Sequence, residues 1–507
     1  MGTRFVQKAV VGATGAALSA FLLLQGAGAQ QVSPEQEVEK AETRQADFES
    51  SIRAASEASR ALATEECPPV SFADILSDPD NISLNVCYAR SQIDRGDVRG
   101  AAATLERILL IAPDALDVRY YYALALYRLD SIDEAEREFR AVERAEGIPT
   151  EVRAQVQDYL AEIERRRQRT KHSVTVGLGT YYDTNRNSAP HSGELEAAGV
   201  RASINNTEDR QKGMLGILTI MNYDFTHDPG FQNQHEIFGG VDLYADTLTE
   251  QSRLDVHAAT FDLGMRLRFP TLTFSPRVFV RTMRLDWAKF YQSEGLELRV
   301  DHKHRLVGLE ELPRLDTFAS FTIQDEDYHN TPNFGTLTLR SGNKYTTMAG
   351  AGMRVDPDHY LRLTGTAEFK SAAPDQTNGG ARIYSYKDYR AEASHTWLLG
   401  GEHYLLSSLM MGVRQYKASD VLVVGGGGER RIERPFRARM TYGMPLVDLI
   451  GDDYLQRSVN INDSIQDFLN GTNIAFSGEY KFVRSNITNF QYDSRRVSVL
   501  LTRKLDF

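Results

Sequence analysis

Val497-Ser498-Val499-Leu500-Leu501-Thr502-Arg503-Lys504-Leu505-Asp506-Phe507 ends the chain, and its alternation governs how everything upstream is read. Successive side chains of an extended strand point to opposite faces, so Val497, Val499, Leu501, Leu505 and Phe507 share one side, interrupted only by Arg503. The same pattern stands at Ala259, Phe261, Leu263, Met265, Leu267 and Phe269, set against Asp262, Gly264, Arg266 and Arg268. It stands again at Val174, Val176, Leu178, Thr180 and Tyr182, with Ser173, Thr175, Gly177, Gly179 and Tyr181 opposite. A half-buried strand of a soluble sandwich looks like this once; repetition along one chain marks barrel strands. The segments are 172–183, 213–226, 234–246, 254–269, 275–286, 295–306, 314–327, 344–355, 358–370, 385–398, 402–416, 433–445, 471–483 and 494–507, an even set of fourteen.

No later run of about 20 apolar residues offers a spanning helix, so a membrane location requires a closed barrel. The negative mean hydropathy agrees with one, because only alternate barrel residues face lipid. A net charge of −11 argues against a nucleic-acid partner. Connections are short around Asp356-Pro357 and Gly400-Gly401 and long at 184–212, 371–384, 417–432 and 446–470. Short turns are expected on the periplasmic side and long loops outside, with the even count returning the C-terminus to the periplasm. The terminal Phe507 resembles the signal read by the outer-membrane barrel-assembly machinery, which makes that machinery and outer-membrane lipid expected partners. Arg266, Arg268, Arg277, Arg281, Arg437 and Arg439 fall on lumen-facing sets. There they either tune what passes or pair with luminal acids such as Asp242 and Asp262.

The N-terminus reads differently. Arg4 and Lys8 precede an apolar stretch from Ala9 to Leu24 and the triplet Ala27-Gly28-Ala29, the pattern of a secretory signal peptide over 1–29. A spanning helix is the competing reading, weakened by Gly12, Thr14, Gly15 and Ser19. Residues 30–80 read as a helical leader or solvated tether, rich in Ala, Glu, Gln and Arg in their first half. Cys67 and Cys87 would meet an oxidising periplasm, either as a disulfide or as two buried thiols. Within a domain read over 81–168, residues 81–145 match themselves at an offset of 34: Ala89 meets Ala123, Ala101 meets Ala135, Leu105 meets Phe139, and Ile108 meets Val142. That is the tetratricopeptide period, and Thr150 to Arg167 is expected to cap the stack. Such domains bind extended peptide or protein, which makes Tyr120, Tyr121 and Tyr127 candidate client-binding residues, with Tyr122 at a packing position.

The helical repeats, the pairs Val152-Arg153 and Tyr159-Leu160, the basic run Arg165-Arg166-Arg167-Gln168-Arg169 and the stretch Gly177 to Pro190 together resemble the surface lipoprotein assembly modifier family. The most specific part is Asp183-x-Asn185-x-Asn187-x-Ala189-Pro190 at the exit of the first strand. The resemblance implies a periplasmic repeat domain joined to a fourteen-stranded barrel that begins near 171 and runs to 507. It also implies a role in bringing lipoproteins or soluble cargo, often iron- or haem-capture proteins, to the cell surface. Arg186 stands where an apolar residue is expected, and the repeat domain is short. Read physically, the Asp/Asn cluster is turn chemistry, since these side chains bond their own backbone. Its spacing does not complete a Ca²⁺ loop.

Other motifs fall short. Gly425-Gly426-Gly427-Gly428 is followed by Glu429-Arg430 and opens no helix, so it is a loop rather than a phosphate cradle. His302-Lys303-His304 lacks further ligands at a metal-binding spacing. No catalytic constellation or cofactor motif suggests itself, and the expectation is a non-enzyme without cofactor. The leading expectation is an outer-membrane translocation helper with a protein client. The alternatives are an exopolysaccharide exporter, which usually carries many more repeats, and a diffusion porin with an accessory domain.

Overall fold

The computed structural model describes residues 70–507 except 79–80, 96, 146–147, 205–208, 232–233, 305–314, 333, 373–379, 425–427, 451–467 and 470. The expected signal peptide, most of the leader, Cys67 and most of the glycine run lie outside the described residues. The chain divides between Gln168 and Arg169 into a helical unit and a barrel unit.

The helical unit comprises α1 (Phe72–Ser77), α2 (Ile82–Asp94), α3 (Val98–Ile111), α4 (Leu116–Arg128), α5 (Ile132–Arg144) and α6 (Thr150–Arg167). Polar caps start the early helices. Ser71 and Asp74 form a capping box on α1, Asn81 accepts from Leu84 N at 3.1 Å, and Asp97 accepts from Gly100 N at 3.0 Å. Gly100 is required there, because a Cβ would stand 2.3 Å from the Asp97 carboxylate. The eight residues matched by the 34-residue offset are all buried in one core, Ala89 and Ala123, Ala101 and Ala135, Leu105 and Phe139, Ile108 and Val142. Val152, Val156 and Ile163 of α6 close that core. Cys87 of α2 is disulfide-bonded, and the chain holds one other cysteine, Cys67.

The barrel unit is a closed antiparallel sheet of fourteen strands. They are β1 (Thr170–Asp183), β4 (Met214–His227), β5 (Glu236–Leu248), β6 (Val256–Arg268), β7 (Leu272–Leu285), β8 (Ala288–His304), β9 (Leu315–Tyr328), β10 (Gly342–Arg354), β11 (His359–Ala372), β12 (Tyr386–Gly400), β13 (His403–Tyr416), β14 (Ile432–Pro445), β15 (Thr472–Ser485) and β16 (Tyr492–Asp506). The seam between first and last strands runs in continuous register from Ser173↔Asp506 to Asp183↔Arg496, extended by reciprocal backbone bonds between His172 and Phe507. The long loop after β1 folds into a hairpin, β2 (Glu194–Ala197) and β3 (Val200–Ser203), which the alternation did not forecast. No described helix is long and apolar enough to cross a membrane.

Each strand turns a large apolar face outward. Leu178, Phe261, Val278, Leu363, Met411 and Val497 are all at least half exposed, and they recur around the circumference. In water so continuous an apolar surface would drive aggregation; in lipid it is the required coat. Tyr182, Tyr345 and Tyr389 edge this band towards one end, and Phe269, Trp397 and Phe507 towards the terminus end, where β1 begins and β16 finishes. One expectation is corrected. The 446–470 connection joins β14 to β15 and so lies at the terminus end, the same end as Gly400-Gly401, not with the loops of the far end. Conversely, the far-end turn Asp286-Trp287 has only two residues, both at positive φ as tight hairpins require. Loop length alone therefore does not sort the ends; strand parity does.

Inward glycines create the space the lumen needs. Phe238 of β5 pairs with Gly264 of β6, Phe279 of β7 with Gly295 of β8, and Phe318 of β9 with Gly350 of β10. A Cβ on any of the three glycines would stand 2.5–2.6 Å from the partner ring. Replacing Gly295 by Val is therefore expected to destabilise the barrel by about 1–3 kcal/mol through overpacking. Gly365→Ala, where a Cβ meets only a carbonyl at 3.9 Å, should be silent. The heat-resistant compact band of the folded barrel in detergent electrophoresis reads both outcomes.

Candidate functional site

The lumen wall below the far end is lined by half-exposed arginines that stand beside aromatic rings, acids or both. Arg266 lies 4.9 Å from the Phe238 ring and pairs with Glu236, which Arg268 also reaches at 2.7 Å. Arg277 and Arg281 flank Phe279 at 6.0 and 5.8 Å; Arg277 pairs with Glu297 at 2.6 Å, and Arg281 bonds Thr260 at 3.2 Å. Arg299 and Arg362 both stand by the Phe318 ring, at 4.4 and 4.8 Å. On the other wall Arg439 pairs with Glu479 at 2.5 Å and Arg437 with Glu392 at 3.3 Å. The structure thus places all six sequence-derived arginines on the lumen wall, and five of them in ion pairs. Their acids are not the expected Asp242 and Asp262: Asp242 instead accepts from Asn222 at 2.6 Å. Neighbouring-strand register, rather than proximity in sequence, selects the partners.

Towards the far end the lumen wall becomes a buried ionic belt. Glu326 of β9 pairs with Lys344 of β10 at 2.6 Å and with Lys370 of β11, and accepts from Tyr291 at 3.0 Å. Glu368 accepts from Tyr386 at 2.6 Å and pairs with Arg390 at 3.0 Å. Asp388 of β12 pairs with Arg414 of β13 at 2.6 Å, and Arg414 reaches Glu433 of β14 at 3.7 Å. Charges on the wall of an open aqueous pore would be wet; Glu326, Lys344, Glu368, Lys370 and Asp388 are all buried. Such groups are tolerated only when paired, as these are. None was singled out from the sequence, because their partners lie on other strands and only sheet register assembles them.

The motif at the exit of β1 lies at the same end of the barrel. Asp183 accepts from Asn185 N at 2.8 Å and from Ser494 Oγ at 2.5 Å. Asn185 donates to the carbonyls of Ala189 and Asp493 at 3.0 and 2.8 Å and accepts from Ala189 N at 2.9 Å. Asn187 donates to the Arg210 carbonyl at 2.7 Å, and Pro190 follows Ser188, which sits at positive φ. This is turn chemistry tied to β16. Its purpose is visible in Arg186, which is 1% exposed. The guanidinium pairs with Asp246 of β5 at 2.9 Å and donates to the Tyr181 hydroxyl at 3.1 Å, while Tyr181 donates to Asp246 at 2.6 Å. Burial disfavours the Arg186 charge, but the Asp246 carboxylate offsets this and holds it protonated. The residue that broke the expected apolar pattern is thus the bolt of the turn. Beyond it, Glu196 of the β2–β3 hairpin exchanges backbone bonds with the Asn489 side chain at 2.6 and 2.8 Å, and Gly199 N donates to the Val423 carbonyl at 2.9 Å. The hairpin is therefore tied down across the far mouth.

In the helical unit two expectations are corrected. Tyr120 and Tyr121 lie in the core and present no surface to a client. The cause is that α4 packs against both α3 and α5, while the Tyr120 hydroxyl reaches Gln155 of α6 at 3.0 Å. Burial pushes that phenol well above its ordinary pKa, so it remains a donor. Tyr127 is half-buried, edge-on to Tyr159 at 5.4 Å. Large apolar side chains that do stand exposed on this unit include Phe72, Leu76, Leu110 and Ile111. The sequence offered a weak signal for them, since Leu110 and Ile111 follow Leu109 at the end of a helix already filled at Ile108.

The tetratricopeptide repeat family profile matches residues 78–147, the segment that contains the two helix pairs. The chain is an outer-membrane β-barrel with a tetratricopeptide-repeat domain. Among solved structures, Pseudomonas aeruginosa OpdO is 11% identical with a TM-score of 0.31, over 67% of this chain and 97% of that one. Acinetobacter baumannii OccAB1 is 10% identical with a TM-score of 0.34, over 67% and 97%. A tetratricopeptide repeat domain protein from Salinibacter ruber is 22% identical with a TM-score of 0.17, over 18% and 96%. No curated protein matches the chain. Membrane insertion is carried by the closed seam and the apolar outer face.

Removing one partner of a buried ion pair leaves the other uncompensated. Arg186→Met alone should lower barrel stability by about 3–5 kcal/mol, whereas Arg186→Met combined with Asp246→Leu should lose much less. Thermal unfolding of the purified barrel in detergent checks this; additive losses would show that the pair is not coupled.

Proposed function

We propose that this protein helps particular exported proteins, lipoproteins or soluble secreted proteins, reach the cell surface. The repeat unit takes the client in the periplasm, and the barrel organises its route outward. The observation that carries the reading is the union, in one chain, of a repeat unit built for protein contact with a closed membrane barrel. Exposed Leu110 and Ile111 supply apolar contact on the repeat unit. Iron- or haem-capture proteins fit as clients through the family resemblance alone. The far end, as folded, carries buried paired charges and a hairpin fastened to the β13–β14 and β15–β16 loops, which disfavours a plain diffusion pore and calls for rearrangement around Arg186 if a client threads the lumen. The short repeat array disfavours a polysaccharide exporter. With no phosphate-binding loop in the sequence, client folding or capture outside is the expected source of direction.

Deleting the gene should remove one or a few specific proteins from the surface or medium while their cellular amount persists, as read by brief external proteolysis and proteomics. An unchanged surface proteome with reduced solute uptake or polysaccharide output would overturn the reading. Leu110→Asp with Ile111→Asp should reduce surface display of the same clients several-fold while the barrel remains assembled, because charge at an apolar contact costs a few kcal/mol of binding.

A further inference from the structure

Outside the lumen, the far ends of β14, β15 and β16 carry a charged surface that client export does not use. Arg434 of β14 stands directly opposite Arg484 of β15, and both side chains are exposed. They lie on the face that carries Met440 and Tyr480, the outer face of the barrel. Like charges directly opposed in a sheet repel, so the pairing is unfavourable unless an anion lies between them. Arg495 of β16 is exposed on the same face, opposite Tyr480 of β15. Adjacent acids are engaged elsewhere: Glu433 turns inward to Arg414 and Arg431, Glu479 inward to Arg439, and Asp493 pairs with His191 at 2.9 Å.

Beneath Arg434 and Arg484 is an aromatic platform. Phe436 and Phe482 stack at 4.9 Å with an interplanar angle of 19°, Tyr480 lies 5.8 Å from Phe482, and the Arg484 guanidinium stands 5.5 Å from the Phe482 ring. The platform continues into the lipid-facing band at Met440 and Val497. Arg434 and Arg484 therefore sit one step beyond the apolar coat, where headgroups begin, and Arg495 lies level with Tyr480 at the coat's upper edge. Charge is also segregated around this rim: on β8 and β9 the opposed outward pair is acidic, Glu294 and Asp325.

We propose that the outer face of β14–β16 is a binding site for a phosphorylated glycolipid of the outer leaflet. Arg434, Arg484 and Arg495 contact its phosphates, and Phe436, Tyr480, Phe482 and Met440 lie along its acyl chains. An anion between Arg434 and Arg484 removes their repulsion, and Arg495, four residues or about 13 Å further along the strand direction, matches a second, separated phosphate of the same headgroup. The site rests on the far end facing outward, part of the functional reading above, but it requires no client.

Full-length protein purified in detergent is titrated with diphosphorylated lipid A, its dephosphorylated form and inorganic phosphate, with bound species counted by native mass spectrometry. Saturable binding of the diphosphorylated lipid is expected, weakened about tenfold or more in R434Q/R484Q/R495Q as charge-assisted contacts are lost. R434K/R484K/R495K should retain most of the binding, and E294Q/D325N all of it. The heat-resistant compact band shows that each variant is folded. Equal binding by the triple Gln variant, by the dephosphorylated lipid or by inorganic phosphate would overturn the site. Because the assay uses purified protein, it is independent of client export.

Discussion

A backbone amide in hydrocarbon finds no water to bond, so a sheet that crosses a bilayer must leave no edge. Here the condition is met at the β1–β16 seam, which stays in register along its length and ends with reciprocal bonds between His172 and Phe507. Closure fixes the rest. Fourteen strands place both termini at one end, and a period of two sends Leu178 and Val497 to lipid while Tyr181 and Arg496 turn inward. One slip of register would exchange those sets, turning Leu178 and Val497 inward and luminal charges towards lipid, where each costs a few kcal/mol near the midplane.

Inside, the fold solves two different problems along its axis. Below the far end, the Phe-over-Gly pairs give arginines a hydrophobic backing while their acids hold them in place, a polar surface that remains partly wet. Near the far end the same alternation yields buried, alternating charges. Buried ion pairs contribute little net stability compared with apolar packing, but they penalise any arrangement that separates them. That makes them suited to holding one particular closure. The Arg186–Asp246 pair is a second buried ion pair at the same end, and it fastens the long loop after β1 to β5.

The strands were legible because lipid enforces a strict apolar set on one face, as at Phe261, Leu263 and Met265. The repeats were legible because Ala101 and Ala135 must both be small where helices approach closely. What escaped the sequence depends on partners distant in the chain. Asp246 and Arg186, or Asp388 and Arg414, mean nothing in isolation. The Tyr120–Tyr122 run misled for a related reason: a helix packed on several sides buries residues that a two-sided helix would expose. The side assigned to 446–470 followed loop length where parity was the controlling fact.

The central claim is that one exported polypeptide meets both the repeat unit and the barrel. Site-specific photocrosslinking in living cells tests it directly, with the crosslinker placed in turn at Leu110 of the repeat unit, at Arg437 in the lumen and at lipid-facing Leu363. The account predicts the same surface-destined protein trapped from Leu110 and Arg437 and none from Leu363. Adducts from neither Leu110 nor Arg437, in cells where the barrel is folded, would contradict it.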